Sequence, residues 1–167
     1  MIRDATPDDA AWITAIWNDI IAQTDITFTT TLKTETQIKE MIAERPVLVL
    51  ADSGGFATFG PFRSGPGYAA TVEHTILLAP HARSRGQGRA LLSALEDRAR
   101  THGHHVMVAG ISGTNAPAVA FHAAMGFTQV AHMPEVGRKN GVWLDLVLMQ
   151  KNLGVTERAN ANPADTV

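Results

Sequence analysis

Apolar and polar positions along the chain follow two periods, and their alternation predicts a mixture of helices and strands. Apolar residues recur at helical spacing after Thr6-Pro7, where a threonine cap and an early proline are typical of a helix start. Two apolar runs on either side of Asp52-Ser53-Gly54 predict a β-hairpin. In chain order, the predicted helices cover residues 6–21, 34–45, 86–102 and 115–125, and the predicted strands cover 46–51, 55–60, 70–78, 106–111, 127–136 and 142–150.

The order of these elements predicts one α/β domain. The chain has 167 residues, which is the length of one domain and enough to bury a core. We find no internal repeat and predict a single domain over residues 1–153. The remaining segment, 154–167, is typical of a disordered tail. A turn is predicted at Arg138-Lys139-Asn140-Gly141, because Asn-Gly is a strong hairpin signal.

The composition excludes several classes of function. Hydrophobic residues make up 45% of the chain and charged residues 18%, which is typical of a soluble globular protein. The net charge of −2 and the pI of about 6.4 give no basic field that would attract nucleic acid or a membrane. The lack of cysteine excludes disulfides, cysteine-bound zinc and a thiolate nucleophile. No apolar run reaches membrane-spanning length, so the cytoplasm is the expected location.

The segment HARSRGQGRALL, at 81–92, combines positive charge and glycines at the start of a predicted helix. Glycines let backbone N–H groups approach a ligand closely, and a helix N-terminus favours anions, so the pattern fits a phosphate or diphosphate. The Walker A pattern is absent, and the third glycine of a Rossmann turn is replaced by Leu91. On these residues alone, a basic loop without a ligand is equally consistent.

The same segment also carries a resemblance to a known family. Arg83-Ser84-Arg85-Gly86-Gln87-Gly88 matches the Q/R-x-x-G-x-G/A signature of the GNAT superfamily of N-acetyltransferases. Together with TVEHTILLAPHARSRGQGRALL, the segments GTNAPAVAFHAAMGF and VGRKNGVWLDLVLMQ resemble the branch that acetylates phosphinothricin, methionine sulfone and methionine sulfoximine. The resemblance covers about residues 2–150, with the motifs in the family's order.

The resemblance implies a fold, a cosubstrate and a set of binding residues. The implied fold is α/β, with a mixed, mostly antiparallel sheet splayed at its middle strands and helices on both faces. The implied cosubstrate is acetyl-CoA, with no metal, and the implied assembly is a homodimer. The residues expected to bind acetyl-CoA are Ile76, Leu77 and Leu78 on the strand, Arg83, Ser84, Arg85, Gly86, Gln87, Gly88 and Arg89 at the loop and helix start, and Asn115.

Two ionisable residues in apolar surroundings are the candidate catalytic residues. Glu73 lies within TVEHTILL, and a carboxylate placed mid-strand is costly unless it is paired or functional, so we expect a general base. A structural glutamate, on an edge strand or in a salt bridge, is the alternative. His122 shares a helix face with apolar residues, and the family resemblance suggests an acid that protonates the leaving thiol. On the pattern alone, a hydrogen-bonded core histidine is favoured.

Three further histidines, His102, His104 and His105, surround a predicted helix end at Gly103. Neither cysteine nor an acidic residue lies near them, so we expect a solvated helix terminus rather than a metal site.

The acceptor is expected to be a small amine. The resemblance places Phe28 over the acceptor and the loop PFRSGPGY beside it, including Arg63, Gly67 and Tyr68. Arg63 could pair with a carboxylate through two hydrogen bonds. A charge on a surface loop is an equally consistent interpretation of Arg63, and an aromatic side chain of the core is an equally consistent interpretation of Phe28.

The sequence therefore predicts direct acetyl transfer to the amine of a small amino acid analogue. Two alternatives stay open: a GNAT enzyme that acetylates a peptide N-terminus or another amine, and a non-catalytic sensor of acyl-CoA. The sensor would keep the basic loop but would not need Glu73.

Overall fold

The computed structural model describes residues 1–83 and 85–154. Its strands are β1 (Ile2–Asp4), β2 (Val47–Leu50), β3 (Gly55–Pro61), β4 (Thr71–Leu78), β5 (Val106–Ser112), β6 (Thr128–Lys139) and β7 (Val142–Asn152). Its α-helices are α1 (Ala10–Gln23), α2 (Glu35–Glu44), α3 (Gln87–Thr101) and α4 (Ala116–Ala124). Short 3₁₀ turns at Pro7–Asp9, Pro66–Tyr68 and Pro80–Ala82 complete the described elements.

All seven strands form one mixed sheet, which confirms the predicted α/β class. The strand order is β1-β2-β3-β4-β5-β7-β6. Neighbouring strands are antiparallel except for β4 and β5, which run parallel. That parallel pair lies at the middle of the sheet, as the family resemblance implied.

Helices cover both faces of the sheet and divide the core into two clusters. On one face, Leu91, Leu92 and Leu95 of α3 pack against strand residues such as Val72. On the other face, α1 and α2 pack on β2, β3 and β4, with Leu77 of β4 in this second cluster. Because side chains alternate along a strand, odd-numbered residues of β4 face α1 and α2, and even-numbered residues face α3 and α4.

Each helix and strand predicted from the sequence is confirmed, with small differences in its bounds. The strand β1 was not predicted, since it has only three residues and little apolar pattern. The predicted turn was wrong at Arg138 and Lys139, which extend β6, so that the turn consists of Asn140 and Gly141. Both turn residues have positive φ, at 49° and 83°, as an Asn-Gly hairpin turn requires.

Of the predicted tail, residues 155–167 lie outside the described residues, so the domain boundary stays a prediction. Within residues 1–83 and 85–154, none of the helices has the length and apolar character needed to cross a membrane.

Candidate active site

A cleft opens in the sheet where β4 and β5 separate. The two strands pair only from Thr71 to Glu73, opposite Val106 to Val108, although both continue for several residues. Beyond that point the strands line a cavity of about 150 Å³, which adjoins a larger groove of about 480 Å³ through shared lining residues. The shared residues are Ile26, Ile76, Leu77, Asn115, Ala118 and His122.

Glu73 lies at the point where the two strands begin to separate. Its position on β4 directs the side chain toward the face covered by α1 and α2. A Cβ atom added at Gly110 of β5 would lie 2.7 Å from Glu73 Oε1, so the glycine leaves room for the carboxylate. Although Glu73 keeps an exposed surface, partial burial of the carboxyl raises its pKa. Across the described residues, no cation forms an ion pair with this carboxylate.

His122 is buried on α4 and paired with a second histidine that the sequence analysis missed. Its Nδ1 lies 2.7 Å from Ala118 O, and its Nε2 lies 3.2 Å from Nε2 of His74 on β4. The two rings stack, with centroids 5.1 Å apart. The only sequence signal for His74 was its place beside Glu73 in an apolar strand.

Hydrogen bonding fixes the tautomers of this histidine pair. A carbonyl only accepts, so His122 Nδ1 carries the hydrogen donated to Ala118 O. In the neutral ring, Nε2 of His122 then accepts a hydrogen from Nε2 of His74. His74 Nδ1 is left as a buried acceptor without a partner among the described residues. Burial lowers the pKa of both rings, to about 3 for His74.

The basic loop leads from the end of β4 into α3, as the sequence predicted. Gly86 precedes α3 with φ of 74°, a conformation that favours glycine. The Arg83 guanidinium donates to Leu78 O through both Nε and Nη2, each at 3.2 Å, and Gln87 Nε2 donates to Asp52 Oδ2.

The other loop residues expected to bind acetyl-CoA occupy different surroundings. Arg85 and Arg89 are exposed, whereas Gly88 is buried against Leu78 and Phe121. Ser84 lies outside the described residues.

Asn115, which the resemblance implies as an acetyl-CoA contact, serves as a helix cap in the structure. Its Oδ1 accepts a hydrogen bond from Ala118 N and caps α4, and the residue also lines the cleft beside His122. A helix cap and a ligand contact are compatible, because the cap uses Asn115 Oδ1 and the side-chain nitrogen Nδ2 is a separate donor.

The structure separates the residues expected around the acceptor. Phe28 packs directly over Gly137 of β6, where an added Cβ would overlap its ring. Arg63 instead stacks on Phe62 and Tyr68, and both Arg63 and Tyr68 line another cavity of about 420 Å³.

That second cavity also contains Phe59, Val72 and His104, which places it on the α3 face of the sheet, opposite the face of Glu73. Gly67 lies in the 3₁₀ turn Pro66–Tyr68 of the same loop. His102 and His104 pack edge-on against Phe59, so they belong to this cavity wall as well as to the end of α3. Among the described residues, no group of histidine and acidic side chains is arranged to hold a metal ion.

Comparisons with known proteins agree with this architecture. Residues 13–127 match the acetyltransferase (GNAT) family. A methionine sulfoximine/methionine sulfone acetyltransferase of Salmonella typhimurium is 42% identical over 91% of this chain and 94% of its own length. A phosphinothricin N-acetyltransferase of Streptomyces coelicolor is 32% identical over 91% of this chain and 95% of its own length.

Solved structures show the same fold. An acetyltransferase from Salmonella typhimurium, solved with its cofactor acetyl-CoA, has a TM-score of 0.89 and 38% identity, covering 96% of this chain and 98% of its own. A ribosomal-protein-alanine N-acetyltransferase from Brucella melitensis has a TM-score of 0.86 and 35% identity, covering 91% and 99%.

The split sheet, the glycine-rich loop before α3 and these likenesses define an acyltransferase. The chain belongs to the GNAT family of acetyltransferases. It is an acetyl-CoA-dependent N-acyltransferase.

The buried histidine pair predicts a specific dependence of stability on pH. An unfolded histidine, with a pKa of about 6.5, takes up a proton as the pH falls, whereas folded His74, with a pKa of about 3, does not. The contribution of neutral His74 to the free energy of unfolding is therefore fully present above about pH 6.5 and is lost progressively as the pH falls toward 3. Between pH 7 and pH 5 the loss is about 2 kcal/mol.

Urea unfolding at pH 7, 6 and 5 measures this loss, and the His74→Gln variant should have the shallower pH dependence. His81→Gln, which removes an exposed histidine, is the control and should behave as the wild type. If the free energy of unfolding of His74→Gln fell with pH as steeply as that of the wild type, His74 would not be the source of the loss.

Proposed function

We propose that this enzyme transfers the acetyl group of acetyl-CoA to the amine of a small amino acid analogue such as methionine sulfoximine, methionine sulfone or phosphinothricin. The observation that carries the proposal is the carboxylate of Glu73 beside Gly110, at the point where β4 and β5 separate. The names of the relatives from Salmonella typhimurium and Streptomyces coelicolor support the acceptor class.

Transfer is proposed to be direct, with Glu73 as the general base. An amino acid amine is largely protonated at neutral pH, so it must lose a proton before its nitrogen attacks the thioester carbonyl. Glu73 takes that proton, the new C–N bond forms, and the C–S bond breaks to release the thiolate of CoA. The second proton that the nitrogen loses on becoming an amide passes to this thiolate, directly or through water, so the products are the amide and the free thiol of CoA. The raised pKa of Glu73 brings this base closer to the working pH. The chain has no cysteine to carry an acyl group.

His122 is proposed to contribute less than Glu73. The Nε2 atom of His122 faces His74, and burial lowers the pKa of the His122 ring. A protonated His122 that could donate to the thiolate is therefore disfavoured. The thiolate is itself a weak base, with a pKa near 8.5, and leaves with little need of an acid.

Acetyl-CoA is proposed to lie along β4, with its diphosphate at the start of α3. The edge of β4 from Ile76 to Leu78 faces the cleft beyond the last pairing with β5. Backbone N–H groups at Gly86 to Gly88, with Arg85 and Arg89 nearby, supply the positive surroundings that a diphosphate requires. Ser84 and Asn115 are proposed as further contacts.

On the acceptor side, Phe28, Arg63, Gly67 and Tyr68 are proposed contacts carried over from the family. Phe28 has the better structural support, because its neighbours Ile26 and Thr27 line the cleft. A second candidate acceptor is a peptide N-terminus, which the likeness to the Brucella melitensis enzyme supports.

A homodimer is proposed through the outer surface of β6 and β7. Apolar side chains are exposed there, and burying them against a second copy would remove that area from water. They are Val130, Met133, Val136, Val142 and Trp143. Analytical ultracentrifugation that finds only monomer at micromolar concentration would reject this assembly.

We place the enzyme in the cytoplasm, because the highly charged cosubstrate does not cross membranes.

A substrate panel tests the acceptor class. Methionine sulfoximine, methionine sulfone and phosphinothricin should release free thiol from acetyl-CoA, while their decarboxylated amines should react far more slowly because the carboxylate-binding group is then left unpaired. A peptide with an N-terminal alanine should react slowly too. Equal rates for an amino acid and its plain amine would reject carboxylate recognition, and faster acetylation of the peptide would favour the second candidate.

Replacing the proposed base should reduce turnover without weakening cosubstrate binding. Glu73→Gln keeps the side-chain shape but cannot accept a proton, so kcat should fall roughly 10²-fold or more. In the wild type, activity should be lost as the pH falls through the raised pKa of Glu73. Glu40→Gln, at an exposed site on α2, is the control and should keep full activity. A Glu73→Gln enzyme with wild-type kcat at neutral pH would show that the proton leaves by another route.

The glycine loop can be tested by binding alone. Gly86→Val should weaken acetyl-CoA binding by about 2 kcal/mol, the scale of a few hydrogen bonds to a charged group. A Cβ atom added at Gly86 meets no protein atom within 4 Å, so the cost to the fold is the strain of a positive φ rather than a clash. Gly103→Val introduces similar backbone strain at the other end of α3, where φ is 81°, and should leave affinity unchanged. Calorimetry showing equal affinity for the two variants would reject the loop assignment.

A further inference from the structure

Lys139, at the end of β6, is a buried cation that contacts only backbone oxygens among its described hydrogen-bond partners. Its relative exposure is 4%. The three N–H donors of its ammonium group are all used, by Ile21 O at 2.7 Å, Thr24 O at 2.6 Å and Thr27 O at 2.9 Å. A buried ammonium without such partners would be strongly destabilising. Lys139 therefore holds three carbonyls around the end of α1 in fixed positions.

The three carbonyls belong to the end of α1 and the loop that follows it. Ile21 lies in the last turn of α1, where carbonyls lack helical partners and the helix dipole favours a cation. Thr24 and Thr27 lie beyond that end. The same ammonium group therefore binds one carbonyl of the last helical turn and two carbonyls of the loop. Gly137, two residues before Lys139 on the same strand, provides the surface under the Phe28 ring. The end of β6 thus shapes the loop from Thr24 to Phe28.

The loop places a buried hydroxyl beside the cleft. Thr27 lines the cavity between β4 and β5, together with Ile26. Its Oγ1 is buried and has no hydrogen-bond partner among the described residues, whereas its own carbonyl is held by Lys139. A buried hydroxyl without a partner is costly, so its presence at a cleft points to a ligand atom as its partner.

We propose that Thr27 is a substrate-binding residue whose hydroxyl hydrogen-bonds a polar group of the acceptor, and that Lys139 is the residue that positions it. The α1–α2 side of the sheet carries both this loop and the Glu73 carboxylate, so an acceptor deprotonated by Glu73 lies on the side of Thr27. The inference rests on the proposed function, since it assumes an amine that reacts beside Glu73.

Two substitutions of Thr27 separate its hydroxyl from its shape. Thr27→Val replaces the hydroxyl with a methyl group and should lower kcat/KM for methionine sulfone about tenfold, the effect of one lost hydrogen bond. Thr27→Ser keeps the hydroxyl and should restore most of that loss. Thr30→Val, at an exposed position between that loop and α2, is the matched control and should match the wild type. Affinity for acetyl-CoA, measured by calorimetry, should stay unchanged in all three.

A double-mutant cycle tests the positioning role of Lys139. Lys139→Met should lower kcat/KM for the acceptor tenfold or more, again without weakening acetyl-CoA binding. If Lys139 acts through Thr27, the double variant should lose at least threefold less than the product of the two single losses. Circular dichroism and thermal unfolding identify a Lys139→Met protein that fails to fold, and in that case Lys139→Gln, which can still donate to two carbonyls, takes its place.

The possible results are distinguishable from failure of the proposed function. A wild-type enzyme that acetylates no amino acid analogue would overturn the proposed acceptor class and this inference with it. A wild type that is active, with Thr27→Val equal to it, would overturn the inference alone. Weaker acetyl-CoA binding in Thr27→Val would assign the hydroxyl to the cosubstrate and overturn its assignment to the acceptor. If the loss in the double variant equals the product of the two single losses, Lys139 does not act through Thr27.

Discussion

The short pairing between β4 and β5 is the constraint on which the rest of the site depends. Three residue pairs hold the strands together, and beyond Glu73 the facing edges separate. Backbone N–H and C=O groups at such edges need partners when they are buried. An extended molecule that carries amides can supply those partners as a strand would, and this is the physical basis of the proposal that the pantetheine arm lies along β4. Gly110, beside the Glu73 carboxylate, lines the cavity between the strands, and Arg83 of the loop before α3 lines the groove that adjoins it.

Local features of the sequence were sufficient to predict what depends on local structure. The glycine-rich loop before α3 and the carboxylate in an apolar strand are visible without any tertiary contact. His74 was missed because its partner, His122, lies 48 positions away. Lys139 was assigned to a turn on the strength of Asn-Gly, while the carbonyls that bury it lie 112 to 118 positions earlier. Burial that arises from distant contacts leaves no periodic pattern near the residue.

The acceptor side shows a different limit of prediction from sequence. Residues Phe28 and Arg63 were expected around one ligand, but strand alternation on β4 places Glu73 and the Arg63 cavity on opposite faces of the sheet. In this conformation, Arg63 stacks on Phe62 and Tyr68 rather than facing the cleft. Recognition of an acceptor carboxylate by Arg63 therefore requires its loop to rearrange, whereas the loop after α1 already borders the cleft.

Glu73 and His74 are adjacent on β4, and burial shifts their pKa values in opposite directions. It raises the pKa of Glu73 and lowers that of His74, since in each case the charged form is disfavoured. Glu73 becomes a stronger base, suited to taking a proton from an ammonium group. The histidine pair stays neutral, with the Nε2 hydrogen of His74 donated to His122, so it offers no acidic proton at neutral pH. In the proposed mechanism the chemistry therefore depends on proton removal from the acceptor, and the thiolate leaves without a histidine acid because it is a weak base.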